Sequence, residues 1–153
     1  MKHIFVLGAR GYRARYGGWE TFVTNFVDHY NDENTDLYIA ELTKDPSKDK
    51  VMEKIREHVY LTYYYVKTDG KTQMFIFTIR SYLNTLKYIQ KNCLNGAYIY
   101  VLGLKLGPLL AFFKGRRRKL GIHVYLNPDG LEHLRSKWNR VISWCFLLSE
   151  WSM

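Results

Sequence analysis

Short apolar runs recur along the chain, and polar or amphipathic segments separate them. Most of these runs are continuous rather than alternating, as expected for strands that are covered on both faces. Residues 18–30 and residues 72–90 place apolar side chains at helical spacing. Alternating strands and helices predict an α/β fold with a parallel sheet, right-handed crossovers and helices on both faces. The predicted strands are residues 3–8, 36–42, 58–66, 97–103 and 121–127.

Two segments do not follow this alternation. Residues 43–57 are polar and open with a turn at Pro46, so we interpret them as a solvated connector that holds at most a short exposed helix. From Leu131 to Met153 a helical pattern runs on with no capping residue, no glycine and no further strand. A chain of 153 residues can bury one sizeable core. We expect one domain over residues 1–153, either half of a doubly wound design or a small one complete in itself.

The cysteines and the amino-terminal sequence indicate in which cellular compartment the protein resides. Cys93 and Cys145 lie in apolar surroundings without the spacing of a metal or redox pair, which predicts reduced core thiols. The first apolar run is too short for a secretory signal and lacks a small-residue cleavage site. No apolar run approaches the roughly 20 residues that span a bilayer. We expect a cytoplasmic protein that does not cross the membrane.

The net charge of +9 is distributed unevenly. Residues 2–15 carry four basic side chains and no acid, and residues 114–140 carry eight against two acids. Such a field attracts phosphates, anionic lipid or nucleic acid. The run KGRRRK at 114–119 follows LLAFF at 109–113, which fits a surface that rests on anionic lipid. A solvated loop that only improves solubility is the alternative.

The first strand-to-helix junction is rich in glycine. Gly8 and Gly11 permit a tight exit from the strand, and Gly17 with Gly18 lets the backbone approach a ligand where a helix begins. The spacing matches neither a dinucleotide-binding fingerprint nor a Walker loop. The glycines therefore indicate either phosphate binding or a shaped turn.

Two further junctions also lie at predicted strand ends, where ligands bind in parallel α/β sheets. Gly103 and Gly107 flank the first of them, followed by Pro108 at a helix start. The second is NPDG at 127–130, where Asp129 is a candidate helix N-cap with Glu132 in capping-box position. The five histidines share no metal-ligand spacing, so we assign no metal site and no cofactor.

Three motifs carry a resemblance to a known family. YGGWETFV at 16–23, VLGLKLGP at 101–108 and NPDGLEHLRSKW at 127–138 stand in this order. Together they resemble the N-terminal domain of bacterial glycosyltransferases that carry the domain of unknown function 1972. These are retaining enzymes of the GT-B fold in glycosyltransferase family 4 and include capsular and cell-wall rhamnosyltransferases. Two positions depart from the family pattern: Trp19 replaces a usual Phe, and His133 stands where a Trp is usual.

The resemblance implies a Rossmann-like domain whose first loop faces a cleft. Gly17 and Gly18 would offer backbone amides to the donor diphosphate, and Arg13 or Arg15 would add positive charge. Asp129 is the carboxylate expected in the cleft, where it would bind or help deprotonate an acceptor hydroxyl, with a helix cap as the alternative.

Other residues of these motifs complete the implied site. Tyr16 and Trp19 would wall the cleft and stack on sugar faces, although core packing is expected for at least one of them. Glu20 would be a cap or a hydroxyl acceptor. The remaining implied substrate-binding residues are Gly103, Gly130, Glu132, Arg135 and Lys137.

Members of the family run to more than twice this length because a donor-binding domain follows. We therefore expect an acceptor-side domain that is a truncated product or one half of a split enzyme, inactive without its donor half. Its partners would be a nucleotide-sugar donor, a lipid-linked saccharide acceptor, an anionic membrane surface and a chain that carries the donor domain. The alternatives are a basic nucleic-acid-binding module and a structural remnant without activity.

Overall fold

The structure is a computed structural model that describes residues 1–14, 17–128, 143–144 and 147. A 3₁₀ turn occupies Pro46–Lys48. The helices are α1 (Gly18–Asp28), α2 (Lys71–Lys91), α3 (Gly107–Phe112) and α4 (Lys114–Lys119). The strands are β1 (Lys2–Leu7), β2 (Thr35–Thr43), β3 (Met52–Arg56), β4 (Val59–Tyr65), β5 (Tyr98–Leu102) and β6 (His123–Asn127).

The strands form one sheet in the order β3-β4-β2-β1-β5-β6. β1 pairs in parallel with β2 and β5, β2 with β4, and β5 with β6, whereas β3 runs antiparallel to β4. The chain first builds the sheet outward from β1 on one side and then crosses to the other side, so the strand order reverses between β1 and β5. This confirms the predicted α/β, Rossmann-like fold class and all five predicted strands.

Helices cover both faces of the sheet. On one face α1 buries Val23 and Val27 against the strands. On the other face α2 and α3 bury Phe77, Leu86 and Leu110. The apolar runs of the sequence are continuous because the strands between these layers meet side chains on both sides.

Residues 43–57 hold a strand that the sequence analysis did not predict. β3 has half-buried Met52 and Ile55 between exposed Glu53, Lys54 and Arg56. Its polar composition suits an edge strand, which buries few side chains and resists pairing with other chains. The interpretation as a connector was wrong because the hydrogen bonds to β4, rather than a hydrophobic pattern, specify this strand.

The predicted apolar stripe on α2 is fully buried only in its second half. Leu86 and Ile89 are fully buried, whereas Phe75, Ile79 and Leu83 are half-buried, and the polar Thr78 and Ser81 are fully buried as well. Thr78 Oγ1 donates to the Met74 carbonyl at 2.7 Å, and Ser81 Oγ donates to the Thr78 carbonyl at 3.0 Å. These bonds satisfy the hydroxyls within the helix itself, so these polar residues can be buried.

The predicted burial of Cys93 is also wrong. Cys93 is exposed in the turn that follows α2 and has a left-handed backbone with a φ of 54°. Its turn position outweighs the usual tendency of cysteine to be buried. Cys145 lies outside the described residues. In the described part of the chain, no helix is long and apolar enough to cross a membrane.

Candidate functional site

Three strand ends meet at the carboxyl edge of the sheet. Gly8, directly after β1, has a φ of +99°, and a Cβ at this position would overlap the carbonyl oxygen of Leu102 at the end of β5. Gly103 follows β5 and donates its N–H to the carbonyl of Asn127, the last residue of β6, at 2.8 Å. At the position where the strand order reverses, the backbones at the ends of β1 and β5 are therefore in direct contact. In open α/β sheets such a place is where ligands bind.

The first loop is fastened to the structure on both sides. The main-chain N–H of Arg10 donates to the buried carboxylate of Glu20 in α1 at 3.1 Å. On the other side, the carbonyl of Arg10 accepts the N–H of Leu42 at 2.8 Å, and the N–H of Tyr12 donates to Glu41 at 2.7 Å. These bonds hold residues 10–12 of the loop between α1 and the end of β2.

The amino end of α1 is open. Gly17 and Gly18 are exposed, and no side chain of the described residues caps this helix. The first intrahelical bond runs from the N–H of Thr21 to the carbonyl of Gly17 at 3.1 Å. A Cβ on Gly18 would meet no atom within 4 Å. The first amides of a helix lack intrahelical acceptors and suit an anion, and here the backbone is accessible to one.

Three predicted site residues at this edge have defined environments. Glu20 accepts the main-chain N–H of Arg10 and so links the first loop to α1. Trp19 is half-buried and packs against the core under α1. Arg13 is exposed and lies over the ring of Tyr12, with 4.8 Å from its Cζ to the ring centroid.

Other predicted residues fall outside the described part of the chain. Asn127 and Pro128 lead from β6 toward the predicted Asp129, so the described chain enters this motif at the same edge as Gly8 and Gly103. The predicted residues outside the description are Arg15, Tyr16, Asp129, Gly130, Glu132, Arg135 and Lys137.

Two charged residues at this edge were not predicted. Burial raises the pKa of the Glu41 carboxyl from 4.5 to about 7, and the N–H of Tyr12 opposes this shift. Lys105 follows β5, and its Nζ lies 3.4 Å from the carbonyl oxygen of Gly8. Each is a single charge in an apolar segment, LYIAEL at 37–42 and LGLKLGP at 102–108, and this local contrast is the only sequence signal for them.

A groove extends from this edge along the α1 face of the sheet. Its volume is about 490 Å³. In the wall of the groove, the hydroxyl of Tyr12 donates a hydrogen bond to Asp28 at 2.6 Å. On the β3 side of the groove, the hydroxyl of Tyr63 donates to Glu53 at 2.8 Å. The lining residues are Tyr12, Arg13, Val27, Asp28, Glu41, Ile55, Arg56, Leu61 and Tyr63.

A comparison with protein families assigns the chain. Residues 1–153 match the family model described as domain of unknown function DUF1972. The chain belongs to the DUF1972 family. A search of the curated proteins gave no match to this DUF1972 domain. Within its described residues, no group of histidine, cysteine, aspartate and glutamate side chains is arranged to hold a metal ion.

Proposed function

We propose that this DUF1972 domain is the acceptor-side half of a retaining, nucleotide-sugar-dependent glycosyltransferase. With a donor-binding domain, it would transfer a sugar such as rhamnose to a lipid-linked saccharide in the synthesis of a capsular or other cell-surface polysaccharide. The observation that carries the proposal is the open amino end of α1, where exposed Gly17 and Gly18 lie at the carboxyl edge of a parallel sheet. Backbone amides at this place suit the diphosphate of a nucleotide-sugar.

The chemistry of sugar transfer fits such a site. A departing nucleoside diphosphate gains negative charge as its bond to the sugar breaks, and amides fixed in advance stabilise that charge without rearranging. The bonds of Arg10 and Tyr12 to Glu20 and Glu41 hold the loop in place before a ligand arrives. Asp129 remains the proposed acceptor-side carboxylate.

Diphosphate binding is tested by titrating the 153-residue chain with a nucleoside diphosphate or inorganic pyrophosphate and recording amide NMR shifts. We expect the amides of Gly17 and Gly18 to move most. Replacing Gly18 by valine places a side chain over these amides and should weaken binding, while Lys91→Met removes a charge from an exposed site at the carboxyl end of α2 and serves as the control. Unchanged Gly17 and Gly18 shifts at millimolar ligand would refute the proposal.

Sugar transfer itself requires both halves. A domain that binds without stabilising the transition state does not accelerate transfer. We therefore expect negligible transfer from a nucleotide-sugar by this chain, and turnover once a donor-binding domain is added. Absence of turnover with every donor domain that binds the chain would contradict the glycosyltransferase assignment.

A basic surface supports the membrane part of the proposal. Between Gly70 and Pro128 the sequence has ten lysines and arginines and no aspartate or glutamate. On α4, Lys114, Arg118 and Lys119 are exposed. Phe112, at the end of α3, is 82% exposed beside them. A large exposed aromatic next to several cations fits insertion at an anionic lipid surface, where each cation contributes about 1 kcal/mol.

The helix α2 extends this basic surface. Arg116 of α4 donates a hydrogen bond to the side-chain oxygen of Gln90 on α2. Lys87 is exposed one turn before Gln90 on the same helix. Cations from two separate stretches of sequence therefore lie close together, so the charge is not confined to the KGRRRK run.

Lipid binding is tested by co-sedimentation with vesicles that contain phosphatidylglycerol, compared with phosphatidylcholine vesicles. We expect binding to the anionic vesicles alone, and Phe112→Ser should reduce it severalfold. Lys44→Glu combined with Lys67→Glu changes the net charge at exposed sites away from α4 and should have a smaller effect than Arg118→Glu combined with Lys119→Glu.

The alternative, a nucleic-acid-binding module, rests on the same cations and makes a different prediction. Binding to DNA or RNA would fall steeply with salt. It would not depend on nucleotide-sugars. Tight, salt-dependent DNA binding that exceeds binding to anionic vesicles would favour this alternative and refute the membrane role.

A further inference from the structure

The groove on the α1 face exists because the chain passes from β2 to β4 without an α-helix. This connection, described throughout, contains a 3₁₀ turn and the edge strand β3, so it places no helix beside α1. The groove therefore lies between α1 and β3, over β4, with a volume of about 490 Å³. Its apolar lining is Val27 of α1, Ile55 of β3 and Leu61 of β4. Pockets of this size, with an apolar lining and a few polar groups, hold small ligands.

Two carboxylates line the groove, and one tyrosine joins them. Glu41 lies near the end of β2, and Asp28 is the last residue of α1. Tyr12 donates its N–H to Glu41 at 2.7 Å and its hydroxyl to Asp28 at 2.6 Å. The tyrosine is therefore held at both ends, and its ring forms a fixed wall between the two carboxylates.

A second tyrosine, Tyr63, lines the β3 side of the groove. Its hydroxyl donates to Glu53 of β3 at 2.8 Å. Tyr63 is opposite Glu41 in the register of β2 and β4, so the two side chains lie next to each other on the α1 face. Tyrosine offers a large and rigid contact surface that loses little conformational entropy on binding. The groove thus presents two aromatic surfaces whose hydroxyls are already hydrogen-bonded.

The polar groups of the groove are mainly hydrogen-bond acceptors. Among the described residues, Tyr12 makes the one hydrogen bond to the Glu41 carboxylate, which has about four acceptor positions. The cations of the lining are directed elsewhere. Arg56 donates to three carbonyls at the end of α1, and Arg13 lies over the ring of Tyr12. A ligand with several hydroxyl groups would supply donors to the carboxylates.

The charges of the lining balance one another. The carboxylates of Asp28 and Glu41 are matched by the guanidinium groups of Arg13 and Arg56. A phosphate would meet two carboxylates and an organic cation would meet two guanidinium groups, so the lining favours a ligand without charge. A neutral molecule that carries both hydroxyl groups and an apolar carbon face is a saccharide.

The groove is longer than one sugar ring. Its lining extends from Glu41 to Arg56, and Arg56 is opposite Val59 in the register of β3 and β4. Val59 is in turn opposite Leu37 of β2. From Leu37 to Glu41 the strand advances by about 13 Å. A saccharide of two units can therefore lie along the groove.

We propose that this groove binds a neutral saccharide of at least two units. Glu41 and Asp28 accept hydrogen bonds from its hydroxyl groups, and the rings of Tyr12 and Tyr63 contact its apolar faces. This inference rests on the proposed function, because the saccharide would be part of the acceptor. The groove begins at the first loop, beside the carboxyl edge, and extends away from that edge. It therefore holds sugar units that are remote from the reacting hydroxyl, and their binding positions the reacting end.

Amide NMR shifts of the unsubstituted 153-residue chain test this inference without any variant. The probes are the neutral disaccharides cellobiose, lactose and maltose, each compared with glucose. We expect at least one disaccharide to shift the amides of Tyr12, Glu41, Ile55 and Tyr63, and glucose to bind severalfold more weakly. If no disaccharide shifts these amides at high millimolar concentration, the inference is overturned. Equal affinity for glucose would contradict the binding of two units.

Variants then separate the carboxylate from the aromatic ring. Glu41→Gln keeps an acceptor for Tyr12 but removes a charged acceptor, so disaccharide binding should weaken severalfold. Tyr63→Ala should weaken binding at least as much, whereas Tyr63→Phe keeps the ring and should retain most of the affinity. Unchanged affinity in both Glu41→Gln and Tyr63→Ala would overturn the inference.

Matched controls lie outside the groove. Tyr125→Ala removes a tyrosine that is 55% exposed on β6, and Glu33→Gln removes an exposed carboxylate before β2. Each should change disaccharide affinity by less than about twofold. A loss in the controls as large as that in Glu41→Gln and Tyr63→Ala would show that the groove is not the binding site.

Failure of this inference and failure of the proposed function give different results. If pyrophosphate shifts Gly17 and Gly18 while no disaccharide shifts the groove amides, the inference is wrong and the proposed function stands. If a disaccharide binds in the groove while pyrophosphate leaves both glycines unchanged, the groove is a saccharide site and the proposed function is wrong.

Discussion

The main-chain N–H of Tyr12 donates to the side-chain carboxylate of Glu41 at 2.7 Å, and this bond joins the first loop to the carboxyl end of β2. The loop backbone is so close that a Cβ on Gly11 would overlap the same carboxylate. Glu41 is opposite Tyr63 in the register of β2 and β4, on the face that α1 covers. The first loop is thus held by an ionisable group.

The stability of the fold should depend on pH through Glu41. Its pKa in the folded chain is about 7, above the ordinary value of 4.5, and burial is the main cause. Between these two pH values the folded chain binds this proton more tightly than the unfolded chain does. The contribution of Glu41 to the free energy of unfolding is therefore greatest below about pH 4.5, decreases up to about pH 7 and is constant above it. The total change is of the order of 3 kcal/mol.

Urea unfolding at a series of pH values measures this effect. Glu41→Gln retains an oxygen acceptor for Tyr12 and removes the titration, so it isolates Glu41 from the other titrating groups. The free energy of unfolding of the unsubstituted chain should fall relative to that of Glu41→Gln as the pH rises from 4.5 to 7. Parallel pH profiles for the two proteins would contradict the prediction.

Gly8 and Gly18 should differ sharply in their tolerance of alanine. At Gly8 the backbone has a φ of +99° and a Cβ would overlap the Leu102 carbonyl, so Gly8→Ala should cost several kcal/mol or prevent folding. At Gly18 the space is open and the residue begins a helix, so Gly18→Ala should keep or raise stability by up to about 1 kcal/mol. Thermal unfolding of the two variants checks this. Equal stabilities would show that β1 and β5 are not in such close contact.

Arg56 should stabilise the carboxyl end of α1. Its guanidinium donates to the carbonyls of Val27, Asp28 and Tyr30, the last two at 3.2 and 2.8 Å. A cation at this end of a helix also compensates the partial negative charge of the carbonyls. We expect Arg56→Ala to lower the free energy of unfolding by about 1.5–3 kcal/mol, measured by urea unfolding.

Two controls accompany the Arg56 variant. Arg56→Lys keeps the charge but not the paired donors, so it should lose part of that stability. Lys54→Ala removes an exposed cation from the same strand and should change stability by less than about 1 kcal/mol. A similar loss for Lys54→Ala and Arg56→Ala would show that the bonds to α1 contribute little.

Tyr82→Phe should be nearly neutral. The Tyr82 hydroxyl is buried and has no hydrogen-bond partner among the described residues, and burial raises its pKa to about 12. Phenylalanine keeps the ring and removes an unsatisfied polar group. Tyr64→Phe is the matched comparison, because the equally buried Tyr64 hydroxyl accepts a hydrogen bond from Asn84 at 3.1 Å.

We expect Tyr64→Phe to lose about 1 kcal/mol and Tyr82→Phe to change stability by less than half of that, or to gain. Chemical or thermal unfolding of both variants under the same conditions measures the difference. A larger loss for Tyr82→Phe would show that its hydroxyl has a partner, such as a buried water, in solution.

The sequence by itself determined the layered α/β fold, because hydrophobic periodicity is local. The continuous apolar run at β2 indicates a strand that is buried on both faces. The helical spacing of apolar residues in α1 indicates a helix that is buried on one face. Strand ends follow from the same runs, so the sequence also places Gly8, Gly17 and Gly103 at the carboxyl edge of the sheet.

Only the tertiary structure decided which residues meet at that edge. β3 has no hydrophobic pattern of its own and forms a strand because β4 pairs with it. The raised pKa of Glu41 comes from burial by segments distant in sequence. Lys105 reaches Gly8 across a separation of 97 residues. Periodicity reports whether a segment is buried, whereas desolvation and close contact depend on which other segments cover it, and that is set only when the chain folds.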